Sequence, residues 1–278
     1  MFTRICALYA ALAIALAGAA LLSAAEAKGI RFVASYGDDS TRCLGKRPCR
    51  TLQRGIESAP PGGVVLVVDS AKYGPTVTIN KSITIAAVGA RAVVDRIVVN
   101  APGASVVLRG LLINGTLLPA GTSGIDITAA ASVHIVACEI ERFAAHGLLV
   151  NADNADVLMA DTAVRGNSNN GLFVTGAADG THVTIRNSRF EANGGVGILV
   201  IGPNQATVER SVAAGNRVGL NTALFGLGPT VRISESVFVN NTDFGVINNG
   251  GTILSRGNNT VSGNGTDIQG IITPLSGI

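Results

Sequence analysis

The chain has no tryptophan, and only 4% of its 278 residues are aromatic. Protein surfaces that grip sugar rings commonly use flat aromatic faces, and little here can build a broad one. Charge is also scarce. Only 14% of residues are charged, the net charge is +3, and the basic side chains are scattered along the chain. No basic patch is present, so a nucleic-acid partner is excluded. The three histidines, His134, His146 and His182, are dispersed and show no His-x-Glu spacing, so no metal and no cofactor is expected. What is abundant is apolar side chain, 47%, together with 35 glycines. That profile suits buried strands joined by tight turns.

One long hydrophobic run exists, and it is N-terminal. Arg4 precedes an Ala-, Leu- and Ile-rich stretch from Ile5 to Leu22, and Ala25-Glu26-Ala27 forms a small-x-small site. Residues 1–27 read as a secretory signal peptide. The rival reading is a membrane anchor, because the run is about long enough to span; the cleavage pattern favours removal. The expected mature chain is then Lys28 to Ile278, with no membrane span, secreted or periplasmic. Cys6 leaves with the leader. Cys43 and Cys49 are near neighbours in a loop of an exported protein, for which a disulfide is the default. Zinc is the alternative for this pair, but two further ligands at metal spacing are missing. Cys138 reads as a small buried apolar residue.

Ile30 to Ser35 alternates as a first strand, and Tyr36 to Pro48 is a polar loop in which Asp38-Asp39 reads as a solvated turn. Thr51 is a candidate N-cap for a short helix whose apolar stripe is Leu52, Ile56 and Ala59. Pro60-Pro61-Gly62-Gly63 stops it. One amphipathic helix before many strands predicts a lid on the end of a stack, so residues 28–63 form an N-terminal cap.

From Val64 the pattern is strand after strand. The clearest copy of the unit is Val183 to Val200, VTIRNSRFEANGGVGILV, with two period-2 segments separated by Asn and Gly turns. Copies start at Val106, Val133, Val157, Val183, Ala206, Val231 and Leu254, 23 to 27 residues apart. Ten residues into the last five copies stand Asn167, Asn193, Asn216, Asn241 and Asn264, where the first two carry Thr116 and Phe143. About four residues beyond that offset stand Gly147, Gly171, Gly197, Gly219 and Gly245, each followed by Leu, Ile or Val. Such a period marks a repeat architecture. No leucine-rich skeleton is present, and a propeller blade is longer. Two or three short strands per coil with no helix fit a single all-β parallel β-helix over residues 64–267. About nine coils at the strand spacing of about 4.8 Å make a rod roughly 40 Å long. Asn at the repeated offset tolerates the left-handed backbone of a sharp corner and can hydrogen-bond to the Asn above and below. The apolar tail, 268–278, is expected to cover the last coil.

The N-terminal run FVASYGDDSTRCLGKRPCRTLQRGIESAPPGGVVLVV, followed by YGPTVTINKSITI, resembles the opening of secreted right-handed β-helix proteins of the pectin-lyase-like superfamily. Later copies such as VRISESVFVNNTDFGVIN resemble its generic repeats. The likeness covers nearly all of the mature chain and implies the right-handed fold. It leaves activity open, since that superfamily includes lyases, hydrolases, esterases, epimerases, tailspikes and adhesins, and fold does not settle function. The acidic calcium cluster of its lyases, the paired aspartates of its hydrolases and the Asp-Pro-His-Asp run of its epimerases are not legible here.

Stacking supplies the catalytic candidates. One outward column should hold Glu141, Arg165 and Glu191, then Ala214 and Val239. Its neighbour should hold Glu139, Ala163 and Arg189, with His146 at a nearby turn. Carboxylates beside arginine are suited to proton abstraction next to a uronate; an ion-pair ladder of little energetic weight is the structural alternative. A second outward column should carry Asp126, Leu149, Phe173, Leu199, Asn221 and Ile247. Its apolar members exceed what a monomer usually leaves bare, unless the 203–206 turn or the tail covers them. Three functions follow as alternatives. The chain is a non-catalytic exported binding or scaffold module for a polysaccharide or an envelope protein, a lyase or epimerase on an acidic glycan, or a self-associating fibre module. The first is favoured.

Overall fold

The computed structural model describes residues 29–176 and 180–275. The signal peptide expected at 1–27 and the last three residues of the tail lie outside them. Among the described residues no helix is long and apolar enough to cross a membrane.

The chain winds as a parallel β-solenoid whose coils contribute one strand to each of three sheets. The first sheet has eleven strands, and the second and third have nine each. Strand pairing between successive coils is parallel throughout. One coil shows the plan. His182–Arg186 lies in the first sheet, Arg189–Glu191 in the second and Val196–Ile201 in the third. Val183, Ile185, Phe190 and Ile198 are buried, while His182 and Arg186 face outward. Alternation at period 2 is therefore what decides the core. Identical positions stack, so Ile140, Val164, Phe190, Ala213 and Phe238 form one inward column of the second sheet. Ala213 between two phenylalanines shows how a large–small–large order fills a shaft of fixed width.

Helix α1 runs from Leu52 to Ser58, with Thr51 accepting from the Arg54 N–H as N-cap. Leu52 and Ile56 are buried against the first coil, and Gly55 lets the helix lie flat. A Cβ there would sit 2.6 Å from Val33 Cγ2. The helix covers the N-terminal end of the core. Cys43 and Cys49 form a disulfide in the loop beside it, and both are fully buried; closing so short a loop contributes about 2 kcal/mol. Asp39 is not a solvated turn residue. Its carboxylate accepts from the Arg50 and Thr51 N–H groups and from the Thr51 hydroxyl, which fixes the approach to the helix.

Four features differ from the sequence reading. The last copy starts at Ile253, which stacks on Val231, and not at Leu254. Its turn around Gly257 holds one residue more than the turn before, so the Ser236 N–H donates to Asn259 Oδ1. The Asn ladder forms, but the left-handed residue is the one before each Asn: Gly166, Ala192, Gly215, Asn240 and Gly263 have positive φ, as does Arg142 before Phe143 at the equivalent place. The Asn side chains are spent on hydrogen bonds instead. Asn193 Oδ1 accepts from Asn167, while its Nδ2 donates to Asn216 Oδ1 at 2.9 Å and to Val164 O at 3.2 Å. A second ladder of hydroxyls, Thr162, Ser188, Ser211 and Ser236, stacks at the corner between the first and second sheets. Finally, the tail adds strands Thr266–Gln269 and Ile272–Pro274 to the solenoid instead of folding over it.

Candidate functional site

The charged column forms on the outer face of the second sheet in the register expected from stacking: Glu141 pairs with Arg165 and Arg165 with Glu191, while Glu139 pairs with Ala163 and Ala163 with Arg189. The side chains then bond to one another. Arg165 donates through Nε to Glu141 Oε2 at 3.0 Å and through Nη2 to Glu139 Oε2 at 3.1 Å. Asn114, one coil before, donates to Glu141 Oε1 at 2.9 Å. Glu141 is thus outward in direction yet only 6% exposed. The hydrogen bond to Glu141, reinforced by the surrounding carboxylate charge, holds the Arg165 guanidinium above its ordinary pKa. Glu191 is less engaged, with Arg189 Nε at 3.9 Å. Two shallow cavities flank the column: one of about 550 Å³ reaches Arg91, Glu139 and Arg165, and one of about 330 Å³ reaches Glu141, Arg165 and Glu191.

His146 does not join this column. It belongs to the row preceding the glycines of the third sheet, where its ring lies 5.0 Å from Phe173 and its Nδ1 accepts from the Asn170 N–H at 3.4 Å. Burial lowers its pKa, against the attraction of Asp126. The neutral imidazole is therefore favoured, as befits a ring packed on a ring.

The apolar column stands where stacking put it, with Asp126, Leu149, Phe173 and Leu199 in register, followed by Asn221 and Ile247. It is not bare. Leu149, Phe173 and Leu199 are half-buried and Ile247 is buried. Of the 203–206 turn, Gln205 and Ala206 open a strand of the first sheet, and the described part of the tail forms strands of its own. The cover is a second outward row formed by the residue before each Gly, notably Val196, Val218 and Phe244, which packs with Leu199 and Ile247. Sequence reading missed this row because each Gly and the residue after it, such as Gly197 and Ile198, both face inward, which leaves Val196 beside Leu199 on the outer side. It also missed Arg96, which closes the N-terminal end of the face by pairing with Asp126. Arg96 Nε and Asp126 Oδ1 remain buried without a hydrogen-bond partner.

Among the described residues no group of three or more His, Cys, Asp or Glu side chains is placed to hold a metal ion. Residues 112–273 match the family described as the right-handed β-helix region. The chain belongs to that right-handed β-helix family. Two solved structures share its fold. A pectate lyase, Pel9A, is 17% identical with a TM-score of 0.50, over 88% of this chain and 76% of that one. A rhamnogalacturonan lyase is 15% identical with a TM-score of 0.52, over 81% and 75%. No curated protein matches the chain by sequence. The chain shares its fold with these two polysaccharide lyases, and at these identities the likeness concerns the fold alone.

Proposed function

We infer that this β-helix protein is an exported, non-catalytic binding module whose contact surface is the outer face of the third sheet and whose ligand is a polysaccharide strand. The observation that carries the reading is the double outward row itself. Leu149, Phe173 and Leu199 are half-buried and follow one another coil by coil, at the strand spacing of about 4.8 Å. A rigid straight ridge of this kind suits an elongated ligand. The tilted His146–Phe173 ring pair offers an apolar seat for the C–H face of a sugar. Arg96 and Asp126 offer a donor and an acceptor at its end, and a ligand hydroxyl admitted between them would relieve their unpartnered atoms. The named activities of the two lyase neighbours support a polysaccharide as the class of ligand. The Cys43–Cys49 disulfide supports an oxidising compartment.

The charged column of the second sheet supports the non-catalytic part. Glu139, Glu141 and Arg165 bond to one another, so proton abstraction would first have to break an ion pair. A second reading, a lyase or epimerase acting on an acidic glycan, draws on the 550 Å³ cavity beside Glu139 and Arg165. One experiment separates the two. The purified protein is applied to a polysaccharide array, with binding and the ultraviolet absorbance of unsaturated sugar ends recorded together. Binding without new absorbance supports the module. New absorbance that disappears in Arg165→Ala supports the lyase, and silence on both removes polysaccharide from consideration.

A further inference from the structure

The corner between the third and first sheets is irregular in one coil. After the strand Val218–Ala223 the chain makes a loop, Leu224 to Pro229, before the next first-sheet strand begins at Thr230. Leu224, Phe225 and Leu227 are 59%, 62% and 75% exposed in this loop, three large apolar side chains within four residues. Gly226, at φ +73°, makes the reversal between Phe225 and Leu227, which bridge each other. No charged residue occurs between Arg217 and Arg232. The loop is an apolar knob. Its base is firm, because Leu224 leans on Gly250, where even a Cβ would come within 2.3 Å of it.

Directly beyond Gly250, at the same corner, lies a cavity of about 420 Å³ lined by Asn248, Gly250, Gly251, Gly270, Ile271 and Thr273. It too carries no charge, and Ile271 on its wall is 78% exposed. Knob and cavity thus sit side by side on one edge of the solenoid. A protrusion beside an uncharged recess of about 420 Å³ on one edge allows two copies to interdigitate about a two-fold axis. We propose that this corner is a homodimer interface in which Phe225 and Leu227 of each copy enter the Ile271 cavity of the other. The contact involves a few side chains, well under the area of an obligate interface, so the dimer is a weak, reversible one. Having no charges, it holds or tightens as salt is raised. The inference rests on the loop and the recess alone and stands independently of the glycan reading.

The test is sedimentation velocity on the purified protein over a wide concentration range, at low and high salt. A reversible monomer–dimer equilibrium is expected. Phe225→Ser and Ile271→Glu should each weaken it roughly tenfold or more, with thermal unfolding unchanged because both side chains are exposed. Mixing the two variants should restore part of the association, since the intact knob of Ile271→Glu meets the intact cavity of Phe225→Ser. A protein that stays monomeric throughout overturns the proposal. So does a dimer that survives Phe225→Ser, or a mixture no better than either variant alone. Vesicles of neutral phosphatidylcholine provide a further arm. A protein that binds them through Phe225 without dimerising carries a lipid anchor there, and the homodimer is then wrong.

Discussion

The outer faces of the second and third sheets come from the same turn of chain, a few residues apart, and they end as opposites. On the second sheet Glu139, Glu141 and Arg165 turn toward one another and saturate, with Asn114 taking the remaining Glu141 oxygen. On the third sheet Leu149, Phe173 and Leu199 stack on one another, with His146 against Phe173 and Val196 beside Leu199, and stay half-buried. A charged column completes itself within the molecule, whereas an apolar ridge has no internal partner for its remaining surface. The residues that look most like chemistry in the sequence are therefore engaged with one another.

The largest effect should come from the corner that joins the two faces. Asn193→Ala removes an amide that bonds Asn167, Asn216 and the Val164 carbonyl in a buried site, and should cost roughly 3 kcal/mol or more in denaturant unfolding. A cost under about 1 kcal/mol would mean the ladder does not weld the coils. Next, Phe173→Ala should weaken polysaccharide binding about tenfold in a calorimetric titration. Its stability cost should be only about 1 kcal/mol, because the ring is half-buried. Unchanged affinity would place the ligand elsewhere. Glu141→Ala should do the reverse. Freeing Arg165 and Asn114 costs about 1 to 2 kcal/mol of stability, with glycan affinity intact.

The smallest effect is a pH dependence. Burial lowers the pKa of His146 below its ordinary value of 6.5, so the unfolded chain takes up the proton first. Stability is then full above about 6.5 and falls as pH drops from there toward the folded-state value, with no further loss below it. His146→Phe keeps the ring contact and should flatten that window of the pH–stability curve.

Much of this was legible in the sequence, and the reason is the repeat. When equivalent residues must stack, spacing alone assigns Glu141 to Arg165 and Phe173 to Leu199, and the structure holds those pairs. Legibility failed where the turn length changed. The extra residue near Gly257 displaced the last start from Leu254 to Ile253. The two adjacent inward residues at each Gly hid the row of Val196, Val218 and Phe244. The αL position was misplaced by one residue because Asn has both a backbone and a side-chain talent for corners, and here the side chain is used. Pairing across long separations, as between Arg96 and Asp126, left no local trace.

The most direct test of the account sets Phe173→Ala beside Glu141→Gln on the polysaccharide that the wild-type protein binds best, measuring retained binding and the absorbance of unsaturated product in the same wells. The account predicts that Phe173→Ala loses binding, Glu141→Gln keeps it, and neither these variants nor the wild type produces absorbance. Product formed by the wild type and abolished by Glu141→Gln, with Phe173→Ala still bound, would contradict it and move the functional face to the second sheet.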